Sequence, residues 1–181
     1  MKTSINHLLI IILIILNSCS KNDDCVNPVD CLPPATQTGA NTAGCLVNGE
    51  VLVPIGGGFN RPSVLLSQYV FHNGRYIFSL SIVDLKSKVY RSIHLESKDK
   101  KLIKGETYIL SKNTEDNSNA FYFLDAGFVD AFETTDEIIG EFKVTHLDES
   151  QNIISGTFWF DAINNEGEIV QIREGRFDVR Y

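Results

Sequence analysis

The chain has 181 residues, 43% of them hydrophobic, with 23 acids against 16 Lys and Arg and a formal charge of −7. That length is enough for one domain with its own core, and the acidity argues against nucleic acid as a partner. No apolar run approaches the ~20 residues of a membrane-spanning helix.

The start reads as a secretion signal. Lys2 supplies the positive end, Leu8 to Leu16 are nine consecutive Leu or Ile residues, and Asn17 and Ser18 are small. The run stops at Cys19. The tetrapeptide Leu16-Asn17-Ser18-Cys19 resembles the lipobox of bacterial lipoproteins. The resemblance implies cleavage before Cys19 and a multi-acyl, palmitate-type anchor on that cysteine, and two or more chains hold a protein stably on a membrane. Residues 1–18 are then a leader, and losing Lys2 moves the formal charge from −7 to −8.

Residues 19–42 are expected to form a lipidated, flexible tether. The stretch "SKNDDCVNPVDCLPPATQTGANT" is rich in Asn, Asp, Pro, Thr and Gly and has no apolar periodicity. Chains of that length have a root-mean-square span on the order of 25 Å. With Cys19 lipidated, Cys25, Cys31 and Cys45 make an odd set in an oxidising compartment. Either Cys25 pairs with Cys31 in a small loop or Cys31 is stapled to Cys45, and one thiol is left over. Their spacing does not match a zinc site, so no metal or other cofactor is expected.

Residues 43–181 are expected to be a single all-β domain, an antiparallel β-sandwich or flattened barrel of about 8–10 strands. "CLVNGEVLVP" reads as a hairpin at Asn48-Gly49, and "SVLLSQYVFHNGRYIFSLSIVD" as a longer one at Asn73-Gly74, because both residue types tolerate the positive φ of a type I′ turn. "VYRSIHLES" is a strand with Ile93 and Leu95 as its buried pair. "KDKKLIKGETYILS" gives a turn, or one turn of helix, before a short strand at Tyr108 to Leu110. "AFYFLD" and "FVDAFET" follow, separated by Ala126-Gly127. The end predicts an antiparallel three-strand meander of "IIGEFKVTHLD", "IISGTFWFDAIN" and "EIVQIREGRFDVRY". In the last of these the apolar residues change parity between Ile172 and Phe177, which requires a bulge, placed at Gly175.

Charge is unevenly spread. Residues 61–104 carry nine bases against three acids, whereas residues 105–172 carry Lys112 and Lys143 against fourteen acids. Complementary sheets, a dipolar surface and plain solvated faces are all compatible with that split.

Two stretches, "LPPATQTGANTAGCLVNGEVLVP" and "GEFKVTHLDESQNIISGTFWFDAINNEGEIVQIREGRFDV", resemble a family of small Bacteroidota lipoproteins known only as a domain of unknown function. The family carries no assigned activity, so the resemblance transfers no catalytic residue. In such lipoproteins an acidic stretch after the lipidated cysteine resembles an export signal, and Ser20 to Asp24 fits it. The resemblance thus implies the outer membrane and the cell surface, with the periplasmic leaflet as the alternative.

The search for chemistry returns little. Ser155 sits in a strand with no nucleophile elbow after it. His72, His94 and His146 are dispersed, and Gly56 to Gly58 lack the Lys-Ser/Thr of a phosphate loop. Asp125 with Asp130, or Asp161 with Glu168, would be the acid pairs of a hydrolase, and Glu115 to Asn119 offers oxygen ligands without the calcium-loop order. Trp159 is the most informative residue. Alternation puts Phe158 and Phe160 in the core and Thr157, Trp159 and Asp161 on the other face. There Trp159 is either a platform for a sugar or a partner protein, or is covered by another layer. The expected function is a non-enzymatic, lipid-anchored envelope protein that binds or scaffolds a glycan or protein partner. The alternatives are an acidic-site hydrolase or calcium-dependent enzyme, and a purely structural lipoprotein.

Overall fold

The computed structural model describes residues 25–58, 62–87, 89–124 and 131–181. Cys19 and the leader lie outside these residues. Eleven strands account for almost all regular structure: β1 (Thr42–Val47), β2 (Glu50–Leu52), β3 (Leu65–His72), β4 (Arg75–Asp84), β5 (Arg91–Lys98), β6 (Thr107–Leu110), β7 (Ser118–Phe123), β8 (Ala131–Glu133), β9 (Gly140–Asp148), β10 (Ile153–Ile163) and β11 (Ile169–Arg180). Among the described residues the helical content is one 3₁₀ turn at Pro28–Cys31. Among the described residues no helix is long and apolar enough to cross a membrane.

All the strands belong to one sheet, in the order β2-β1-β11-β10-β9-β6-β7-β5-β4-β3, with β8 bridging β10 and β7. The sheet folds over on itself, so that rings from distant strands meet: Phe78 on β4 lies 5.6 Å from Phe142 on β9 and 5.9 Å from Phe177 on β11. The all-β architecture expected from the sequence is present, as is the β9–β10–β11 antiparallel meander. Among the described residues there are eleven strands rather than about 8–10, and β6 meets β7 in a single parallel pair, Leu110↔Ser118, where the end of one strand touches the start of the other.

Both short hairpins form at the Asn-Gly pairs, with φ of 49° and 85° at Asn48 and Gly49, and 52° and 84° at Asn73 and Gly74. The strands then read out their own alternation. Phe78, Leu80 and Ile82 on β4, and Ile93 and Leu95 on β5, are at most 1% exposed. Burying such side chains contributes roughly 1.5–3 kcal/mol each. The stretch before β6 contains a turn at Lys104-Gly105 and no helix, and Leu102 is buried there with its N–H donated to the Tyr69 hydroxyl at 2.9 Å.

The parity change in β11 is a bulge, displaced by one residue from its expected place. Phe158 pairs with Gly175 but Phe160 pairs with Ile172, and β1 shows the same slip between Gly44↔Arg176 and Leu46↔Arg173. The residue in the left-handed region is Glu174, at φ 55°. Gly175 is needed for a different reason: a Cβ there would come within 2.5 Å of the Phe158 ring. Gly175→Ala is therefore expected to cost about 1–3 kcal/mol through overpacking, read as a lower urea midpoint with an unchanged slope.

Part of the expected tether is structure. Leu32 is buried, and Pro33 to Ala40 lie along β11, where they enclose Asp178. The described part of the chain before them is closed by a Cys25–Cys31 disulfide, while Cys45 is buried and free, so the Cys31–Cys45 staple does not form. Burial pushes the Cys45 thiol up to about 12 against a smaller opposing effect of Arg91, which leaves it unreactive.

Candidate functional site

The outer face of β9, β10 and β11 carries a groove of about 440 Å³. Trp159 is among the residues that line it. Because side chains alternate across a strand, the same backbone that buries Phe158 and Phe160 at 3% and 0% exposure leaves Trp159 37% exposed. Thr157, Trp159 and Asp161 lie on the face away from Phe158 and Phe160, and among the described residues no sheet packs over the tryptophan.

Four contacts fix the platform. The Arg173 guanidinium lies 5.5 Å from the centre of the Trp159 ring, a cation–π distance. It is held there by Asp161 at 2.7 Å and by donating to the carbonyls of Phe160 and Ile172 at 3.1 and 2.8 Å. Thr157 and Trp159 line the groove, whereas Asp161 stands behind it and anchors Arg173.

Sequence reasoning missed the other lining groups. Glu141 and Lys143 come from β9, Thr107 from β6, and Arg173 and Arg176 from β11. Register places them: Glu141 pairs with Trp159, and Lys143 pairs with both Thr157 and Thr107. The meander contained the signal for the β9 residues, but nothing local marked β6 as the next strand.

Ala35 forms one wall, and the segment that carries it is pinned to Asp178. By alternation Asp178 points away from Phe177 and Val179, outward, yet it is 1% exposed. One carboxylate oxygen accepts from the Thr36 hydroxyl at 2.6 Å and from the N–H groups of Thr38 and Ala40 at 2.9 and 3.2 Å. The other accepts from the Gly39 N–H and the Ser155 hydroxyl, each at 2.8 Å. Burial alone would raise this carboxyl, but the hydrogen bonds from Thr36, Thr38, Ser155 and Ala40 outweigh it and hold the group far below the usual carboxylate range.

The remaining candidates do not converge. Asp161 is paired with Arg173, and Glu168 accepts from the Asn164 amide at 3.0 Å. Asp125 and Asp130 lie outside the described residues. In the Glu115–Asn119 stretch, Asp116 and Glu115 face Arg75 at 2.8 and 3.7 Å, an exposed ion-pair cluster of small energetic weight. It joins the basic and acidic stretches of the sequence, as does the exposed Lys101–Glu149 pair at 3.7 Å. His94 packs edge-on against Phe123 at 5.2 Å, and burial lowers its pKa against a smaller opposing effect of Glu96. His72 ends β3 and His146 lies opposite Ser155. Among the described residues no three His, Cys, Asp or Glu side chains are grouped to hold a metal. A larger cleft of about 1030 Å³ lies between the disulfide loop and β2, with walls that include Leu32, Pro33, Val51 and Val53.

Residues 80–179 match a family model described as Domain of unknown function (DUF6252). The chain belongs to this family. The span of the DUF6252 match runs from within β4 to the end of β11, so it contains every groove residue except Ala35. It takes in the C-terminal stretch "GEFKVTHLDESQNIISGTFWFDAINNEGEIVQIREGRFDV" and leaves out "LPPATQTGANTAGCLVNGEVLVP". Neither the curated proteins nor the solved structures contain a match to the chain.

Proposed function

We propose that this DUF6252 protein is a non-catalytic, lipid-anchored binding module of the bacterial outer membrane, displayed at the cell surface, that takes a glycan in the Trp159 groove. The observation that carries the reading is a tryptophan 37% exposed and held in place by Arg173, in a groove where most of the other lining residues, Ala35, Phe158 and Gly175 apart, carry hydrogen-bonding side chains. A pyranose offers an apolar face to an indole and hydroxyls at its rim. Thr157, Lys143 and Glu141 supply the donors and the acceptor around that rim. The anchor rests on the resemblance of Leu16 to Cys19 to a lipobox. A hydrolase is disfavoured because Asp161, one member of the proposed acid pair, is already paired with Arg173.

The test is a glycan array followed by calorimetry on the best hit. Trp159→Ala is expected to weaken binding at least tenfold, the loss typical of an anchor aromatic. Its melting temperature is expected to move by only a few degrees, since the core beneath is Phe158 and Phe160. Equal affinity of the variant and the native protein would refute the groove as the site.

A further inference from the structure

The geometry points to an acidic saccharide as the ligand: its carboxylate on Lys143 between the Thr107 and Thr157 hydroxyls, its ring on Trp159, and its hydroxyls donating to Glu141. This rests on the glycan reading above and narrows it. Lys143 on β9 lies directly opposite Thr107 on β6 and Thr157 on β10, and Thr157 lies opposite Arg176 on β11. The four make one row across four strands at the ~4.8 Å spacing of a sheet, and all four line the groove. Each of these side chains can donate a hydrogen bond, and two are cationic.

The two cations differ in their commitments. Arg176 is paired with Glu174 at 3.2 Å, and Arg173 in the next row with Asp161 at 2.7 Å. Lys143 is exposed and has no carboxylate partner among the described residues. An ammonium flanked by two hydroxyls suits a carboxylate, because charge-assisted hydrogen bonds are the stronger kind. Glu141 sits two residues along β9 on the same face and pairs with Trp159, about 7 Å from Lys143 at the rise of a strand. That spacing is close to the width of one sugar ring, so Glu141 repels a carboxylate at its own end of the ring and accepts hydroxyls there. The pair therefore sets the direction in which the ring lies.

The purified protein would be titrated with uronate oligosaccharides and with the same oligosaccharides carboxyl-reduced to their neutral forms, at low and high salt. The expected result is a preference of about five- to tenfold for the acidic form that shrinks as salt screens it. Lys143→Gln should abolish that preference while keeping neutral binding, Lys143→Arg should retain it, and Trp159→Ala should weaken both forms. If acidic and neutral forms bind equally, or only neutral glycans bind, and Trp159→Ala weakens them, the acidic assignment is overturned and the groove reading stands. If Lys143→Gln weakens both forms alike, the carboxylate subsite is likewise overturned. If neither form nor any arrayed glycan binds, both readings fall.

Discussion

Asp178→Ala is expected to destabilise the protein by about 3–5 kcal/mol, because it orphans several buried neutral donors at roughly 1–3 kcal/mol each. Five hydrogen bonds of 2.6–3.2 Å end on this carboxylate. Deleting it leaves the N–H groups of Thr38, Gly39 and Ala40 without their acceptor, and an unsatisfied buried donor costs roughly 1–3 kcal/mol. Asp178→Asn should cost less, since an amide oxygen still accepts, although its NH₂ then faces donors. The same bonds fix the pH dependence. The folded carboxyl is depressed relative to an unfolded aspartate near 3.9, so the native state binds fewer protons. Its stabilisation is complete above about pH 4 and drains away as the pH falls below that. Urea denaturation across pH 2–7 should show this acid loss in the native protein and a flatter profile in Asp178→Asn, whereas parallel profiles would remove Asp178 as its source.

Phe142→Ala is the second large effect, expected at about 3–5 kcal/mol as a lost ring and a residual cavity. Phe142 is fully buried, 4.9 Å from the Tyr108 ring and 5.6 Å from Phe78, with both pairs stacked. Through these contacts it joins β9 both to its neighbour β6 and to β4 on the opposite side of the core. Phe71→Ala provides the contrast: at 62% exposure its loss should stay near the ~0.5 kcal/mol of ordinary surface changes. Comparable shifts in the two urea midpoints would show that Phe142 does not bridge the core.

What was legible in the sequence was what neighbours along the chain decide. Asn48-Gly49 and Asn73-Gly74 place their hairpins because few residue types accept the backbone of those turns. Trp159 declares its face because Phe158 and Phe160 flank it in strict alternation. Where distant residues decide, local pattern fails. Pro33 to Ala40 look like linker by composition, and Asp178 like a solvated strand residue. Each is explained only by the other, about 140 positions away. The bulge was misplaced because a glycine advertises positive φ and Glu174 does not. Lys143 joins the groove through register, which brings Thr107 and Thr157 to its two sides.

The Asp178 contact also determines how the domain would bear load. Its N-terminal segment does not leave from the edge strand β2, where ladder bonds would open one after another. It is tied to β11, which is flanked on both sides by β1 and β10. Tension arriving from the proposed anchor would reach the Cys25–Cys31 loop first and then a carboxylate that holds Thr36, Thr38, Gly39 and Ala40 at once. The pull therefore ends on the interior of the sheet, and Ala35, a wall of the groove, lies on the line along which it travels.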